Sequence, residues 1–211
     1  MEELTGKDIL EGYGLSETSP ILSLNPMTAT EFSATVGLPL PSTDIKLLDD
    51  NDKEVAIGEP GEICAKGPQV MSGYWQRPDA NAVAFTPDGY FRTGDVGVFD
   101  ERGFLKIVDR KKDMIIVSGF NVYPNEVEAV AAACAGVADC ACVGKPDEKT
   151  GEAVRLFVSK APGAALTEAD LLAHCRRELA AYKVPKEIRF LEALPRSTVG
   201  KILRKDLRTV A

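Results

Sequence analysis

The chain holds one histidine, one tryptophan and no Cys-x-x-Cys pair among its 211 residues. Each shortage excludes something. His174 stands alone in the helical pattern LLAHCRRELA, so no histidine cluster exists to bind a metal, and a surface or packing role accounts for it. The five cysteines, Cys64, Cys134, Cys140, Cys142 and Cys175, are odd in number and irregularly spaced. They read as free thiols of a reducing cytoplasm, not as a disulfide framework or a metal set. No run of about 18 apolar residues occurs, so no membrane-spanning helix is expected. The opening MEELTGKDILEGYG lacks the basic-then-apolar order of a signal peptide. Internal repeats and low-complexity segments are absent.

Two nucleotide motifs are also missing, although fragments of each occur. Gly200-Lys201 in PRSTVGKILR is not a P-loop. That motif needs a glycine five positions earlier and a Ser or Thr after the lysine, where this chain has Pro195 and Ile202. Gly12-x-Gly14 is not a dinucleotide fingerprint, because position 17 is Glu. Nucleic acid is not an expected partner either: net charge is −7, and the basic residues do not interleave with aromatics.

What is present is the composition of a globular protein, 45% hydrophobic and 27% charged. Its charge is uneven. Residues 1–109 carry 8 basic and 19 acidic side chains; residues 110–211 carry 17 basic and 13 acidic. The change falls at DRKKD, 109–113, and suggests two bodies joined there. Before it, short runs such as Asp44–Leu48 and Glu62–Ala65, separated by DDNDKE and GEPGE, read as β structure. Glu101-Arg102-Gly103 reads as a hairpin loop and Pro87-Asp88-Gly89 as a turn. After it, MIIVSGFNVY reads as two strands around a Ser-Gly break. Asn125 is expected to cap a helix, with Glu128 closing a capping box and Gly136 ending it. Thr167 caps a second helix carrying Leu171, Leu172, Cys175 and Leu179. ADCACVG, AVRLFVS and EIRFLEA read as strands. A small sheet with helices on it is the expected outcome.

Several stretches are richer in chemistry than a fold needs. GYGLSETSP, 12–20, offers an aromatic, a close-approach glycine, a hydroxyl and a carboxylate: Tyr13, Gly14, Ser16 and Glu17. These can stack on a base, bond a phosphate and hold magnesium. Taken alone, a plain glycine turn is the better account of them. DGYFRTGD, 88–95, presents Asp95 in an expected turn, where a carboxylate can accept both hydroxyls of a ribose or simply bond its own backbone.

Together with GYWQRPDA at 73–80, IVDRKKDMIIVSGFNVYPNEVE at 107–128, YKVPK at 182–186 and PRSTVGKILR at 195–204, these motifs resemble the adenylate-forming superfamily along nearly the whole chain. That superfamily includes acyl-CoA synthetases, luciferases and peptide-synthetase adenylation domains. The wording is most similar to bacterial long-chain fatty acid–CoA ligases.

The resemblance implies a mixed α and β protein, with a small β-barrel-like subdomain followed by an α+β C-terminal lid domain. It implies a remnant of a large N-terminal nucleotide- and acyl-binding body at 1–30, the β subdomain at 31–109 and a mobile C-terminal domain at 110–211. It also implies ATP, magnesium and CoA as co-substrates or cofactors and a fatty acid or other carboxylic acid as substrate.

The implied roles follow residue by residue. Tyr13 lies beside adenine with Gly14 next to it, Ser16 contacts phosphate and Glu17 associates with magnesium. Asp95 and Arg110 bind ribose. Lys112 is the hinge, Gly119 lines the pantetheine tunnel and Lys201 serves the adenylation step.

Ser16 stands where Thr is commoner. The family's Ser/Thr/Gly-rich phosphate loop occurs nowhere in these residues. The chain therefore looks like the C-terminal part of a longer enzyme, with a missing N-terminal domain as partner and no turnover of its own. A ligase for aryl or medium-chain acids, and a silent module prone to self-association, are the other readings. A cytoplasmic protein, with peripheral contact at the inner membrane face to collect fatty acid, is the expected setting.

Overall fold

The computed structural model describes residues 6, 9–28 and 33–209. The chain divides into two compact units, Met1–Lys111 and Lys112–Ala211. The boundary expected between residues 30 and 31 lies outside the described residues.

The first unit is built on two antiparallel sheets. One joins β1 (Gly12–Gly14), β2 (Ile21–Leu24) and β3 (Leu38–Pro39); the other runs β4 (Asp44–Leu48), β5 (Gly61–Lys66), β6 (Phe91–Phe99) and β7 (Leu105–Arg110) in sequence order. A short helix, α1 (Pro78–Ala84), precedes β6. Among the described residues the four-stranded sheet is open, so the barrel-like body takes the form of an open sheet. Both sheets share one core of Leu22, Ile45, Leu47, Ile63, Ala65 and Leu105, with Tyr13 and Leu15 packed on it. Burying such side chains stabilises the unit by about 1.5–3 kcal/mol each relative to exposure.

The second unit is a five-stranded sheet with helices on it. Its path is β10 (Val137–Asp147), β11 (Gly151–Lys160), β8 (Ile115–Val117) and β9 (Phe120–Val122). β12 (Glu187–Phe190) pairs in parallel with the middle of β11. A parallel pair needs a crossover, and α3 (Glu168–Glu178) supplies it. Thr167 caps α3 as expected, accepting from the Asp170 amide. One core packs α2 (Pro124–Ala132) and α3 through Val127, Ala131, Leu171 and Cys175 onto Val154, Leu156 and Val158. A second cluster on Phe157, Val143 and Leu194 receives Leu207 of α4 (Arg204–Arg208).

One expected cap is different. α2 is entered through Tyr123 with Pro124 as its first residue, and no side chain caps it. Proline at the first helical position lacks one of the N–H groups that a helix start leaves unpaired and already has helical φ, so the cap position falls on Tyr123. Asn125 and Glu128 are thereby released for other partners. The helix ends at Ala132, and Gly136, at φ +93°, serves the turn into β10.

Glu187 in β12 gathers three cations. Lys145 holds its carboxyl down to about 2, assisted by Arg189 and Arg155. A depressed folded-state carboxyl contributes stability above its ordinary range, near 4.5, and loses it as pH falls toward 2. Glu187→Gln is therefore expected to flatten the fall in urea midpoint between about pH 4.5 and 2.5. Superimposable pH profiles would contradict this.

Candidate functional site

Tyr13, Asp95 and Arg110 come together in the first unit. β6 carries more residues than β5 between the pairs Glu62↔Val96 and Cys64↔Arg92, so Thr93, Gly94 and Asp95 bulge out of register. Gly94 takes φ +73°. Asp95 is thus presented by a bulge within a strand and not by a turn. Bulges bend a strand and re-aim its side chains. The Thr93 hydroxyl donates to the Ile63 carbonyl at 2.9 Å and accepts from the Asp95 amide at 3.1 Å, fixing the bulge.

Asp95 faces Arg110 across the β6–β7 ladder. Arg110 Nε lies 3.7 Å from Asp95 Oδ1, and Tyr13 Oη donates to Oδ2 at 2.7 Å. Burial pushes the Tyr13 phenol well above its usual range, and the Asp95 carboxylate adds to the shift. Tyr13 therefore remains a donor at any physiological pH. Asp95 is 15% exposed and Arg110 59%. A half-buried carboxylate beside an open guanidinium and an aromatic ring can take a sugar diol and a flat base.

Gly14, Ser16 and Glu17 follow Tyr13 directly. A Cβ on Gly14 would lie 1.6 Å from the Pro20 carbonyl oxygen, so only glycine allows this approach of β1 to β2. Ser16 and Glu17 open a 3-10 turn, Ser16–Thr18. The buried Thr18 hydroxyl locks it, accepting from the Leu15 amide at 2.9 Å. Ser16 is exposed on this turn. Glu17 Oε1 accepts from Tyr74 Oη at 2.9 Å.

Among the described residues no cluster of three His, Cys, Asp or Glu could hold a metal ion. Glu17 fits magnesium only as a single carboxylate sharing the ion with phosphates and water, which is the usual mode for magnesium. Tyr74 and Thr18 were missed by sequence reasoning. Tyr74 lies 57 residues from Glu17, beyond any local signal. Thr18 sits beside the quoted motif.

The segment around Lys112 is held on both sides. Lys111 Nζ pairs with Asp50 at 3.0 Å and Glu62 at 3.1 Å within the first unit. Asp113, buried, accepts from Arg208 at 2.6 Å within the second. Lys112 between them is exposed, and the division between the units falls on its N-terminal side.

In the second unit, Ser118 and Gly119 form the two-residue β8–β9 turn at φ +51° and +83°. A type I′ turn needs positive φ at both positions, and glycine takes it without strain. Beyond its chain neighbours, no atom of the described residues lies within 4 Å of a Cβ built on Gly119, so its surface is open.

Lys201 sits on an exposed loop closed by a bridge between Arg196 and Ile202. Gly200 in that loop has φ +81°. Among the described residues no carboxylate pairs with Lys201. Arg196 and Arg204 are both held by carboxylates: Arg196 bonds Asp139, and Arg204 bonds Glu128 at 2.7 Å. His174 Nε2 lies 3.0 Å from the Val130 carbonyl, a packing contact between α3 and α2. No helix among the described residues is long and apolar enough to cross a membrane.

Comparison with known proteins gives these features a context. Residues 1–75 match the model of the AMP-binding enzyme family, and residues 126–201 match that of the AMP-binding enzyme C-terminal domain. A long-chain-fatty-acid–CoA ligase of Salmonella typhimurium is 58% identical over 209 residues, 99% of this chain and 37% of the relative. One of Bacillus subtilis is 44% identical over 98% of this chain and 37% of its own length. The chain thus spans little more than a third of these relatives.

Among solved structures, ATP-bound MatB from Rhodopseudomonas palustris superposes with TM-score 0.90 at 39% identity, covering 96% of this chain and 40% of that one. The o-succinylbenzoate CoA synthetase of Bacillus subtilis, solved with its acyl-adenylate, gives 0.86 at 34% identity, covering 100% and 43%. The two family matches and the long, close similarity to these ligases agree: the chain belongs to the adenylate-forming AMP-binding enzyme family and carries its C-terminal domain.

Proposed function

We propose that this chain supplies the C-terminal functions of an ATP-dependent long-chain fatty acid–CoA ligase. The observation that carries the reading is the Tyr13–Asp95–Arg110 cluster, which joins an aromatic ring, a half-buried carboxylate and an open guanidinium. In this reading Asp95 accepts the ribose hydroxyls, Arg110 donates to the same sugar and Tyr13 packs beside the adenine. Gly14 lets the backbone come close, and Ser16 donates to phosphate.

In the first step a fatty-acid carboxylate oxygen bonds to the α-phosphorus of ATP, and the bond to pyrophosphate breaks. Negative charge gathers between carboxylate and phosphate, where the Lys201 ammonium stabilises the transition state more than the ground state. Magnesium, when bound with Glu17 as one ligand, neutralises polyphosphate charge. In the second step the CoA thiol releases its proton to water as its sulfur bonds to the acyl carbon, the acyl–phosphate bond breaks and AMP leaves. Lys112 is the hinge about which the Lys201 loop withdraws and the Gly119 turn takes its place beside the thiol arm.

The phosphate loop has no counterpart in these 211 residues, so the chain by itself is not expected to turn over. A graft tests the reading: residues 1–211 replace the matching part of the Salmonella typhimurium ligase, whose N-terminal part then sets acyl preference. The graft is expected to form long-chain acyl-CoA within about tenfold of the parent, since 1.4 kcal/mol of misfit is a tenfold loss. A folded graft that makes none would overturn the reading.

A further inference from the structure

We propose that Arg196 and Arg204 are positioning residues for Lys201, each tying one side of its loop to a carboxylate of the folded unit. The inference rests on the adenylation role proposed for Lys201. The Arg196 guanidinium donates to the Gly200 carbonyl, part of the peptide that leads into Lys201, and to the Asp139 carboxylate. Asp139 is itself held, since its Oδ1 accepts from the Cys140 amide at 3.0 Å at the start of β10.

On the other side, Arg204 forks onto Glu128, with Nη2 donating to Oε2 at 2.7 Å and Nε to Oε1 at 3.2 Å, and Nη2 also reaches Asn125 Oδ1 at 2.9 Å. Glu128 Oε1 accepts from the Cys142 amide at 2.7 Å, which fixes that carboxylate to β10 as well. A backbone bond from the Leu203 amide to the Pro195 carbonyl, 2.9 Å, closes the neck of the loop. Arg204 and Arg208 continue the network to Asp113, at 3.8 and 2.6 Å, one residue beyond Lys112. The loop backbone is clamped on both flanks while the lysine side chain is left unpaired among the described residues.

Exposed ion pairs contribute little to stability, and Arg196 is 48% exposed. Its bond to the Gly200 carbonyl therefore acts on loop geometry more than on melting. Rate depends steeply on such geometry: a displacement of about 1 Å can cost about a hundredfold.

Two arms test the proposal. In the 211-residue chain, Arg196→Gln is expected to speed amide exchange across residues 199–201 by about tenfold or more, with β10, β11 and the melting temperature unchanged. In the graft, Arg196→Gln and Arg204→Gln are expected to lower kcat for adenylation by about tenfold or more. KM for ATP and thioester formation from supplied acyl-adenylate stay within about twofold. Arg204→Lys keeps the charge without the planar fork, so it restores only part of the loss.

Unchanged exchange in Arg196→Gln, or equal losses in both half-reactions, would overturn the proposal. If Lys201→Ala adenylates normally, the role of Lys201 falls and this inference with it. If Lys201→Ala is inactive and Arg196→Gln adenylates like the parent, only the inference falls.

Discussion

Lys201→Ala in the graft is expected to lower ATP–pyrophosphate exchange by about 100- to 1,000-fold, the usual cost of removing one preorganised charge donor. Thioester formation from supplied acyl-adenylate should stay within about twofold. The split follows from chemistry. Adenylation brings two anionic groups together, and in the proposed function a compact ammonium on a flexible stem lies between them only in that step. The second step attacks a carbonyl already activated by its phosphate leaving group. Structure favours the assignment, because Lys201 is exposed, unpaired among the described residues and carried on a loop with a fixed neck. Single-turnover assays of each half-reaction check the result. Equal losses in both would remove Lys201 from its proposed role.

Asp95→Ala should raise KM for ATP by about a hundredfold with a smaller change in kcat. A carboxylate accepting two sugar hydroxyls makes charge-assisted bonds of about 1.5–3 kcal/mol each, and part of that is recovered by water. About 3 kcal/mol of net loss corresponds to about a hundredfold. The substitution also removes the acceptor of Tyr13 Oη and the cross-strand partner of Arg110. Asp95→Asn keeps the shape and the acceptor oxygen but not the charge, so its KM should fall between the two. Initial-rate kinetics over a wide ATP range decide this. An unchanged KM in Asp95→Ala would place the ribose elsewhere.

Local signals in the sequence were legible where a short stretch determines its own conformation. The Ser118-Gly119 break became a two-residue turn because both positions need positive φ and one of them is glycine. Thr167 caps α3 because its hydroxyl meets the Asp170 amide three residues on. Asn125 misled for an equally local reason: Pro124 fits the first position of α2, so the cap position falls on Tyr123 and Asn125 lies inside the helix.

Distant pairings were not legible. Glu128 meets Arg204 across 76 residues and Tyr13 meets Asp95 across 82, and neither partner announces the other. The β1–β3 sheet also escaped notice, since its strands are two to four residues long. The chemistry-bearing residues were visible as a set of motifs. Their mutual geometry depends on the bulge at Thr93–Asp95 and on the shared core beneath the two sheets of the first unit.

In the proposed function this chain carries the ribose contacts and the adenylation lysine of a ligase but not its phosphate loop. ATP–pyrophosphate exchange with a long-chain fatty acid, run on the 211-residue chain and on the graft side by side, tests it most directly. No exchange by the chain alone and sustained exchange by the graft are expected. Exchange by the chain alone, or none by a folded graft, would contradict it.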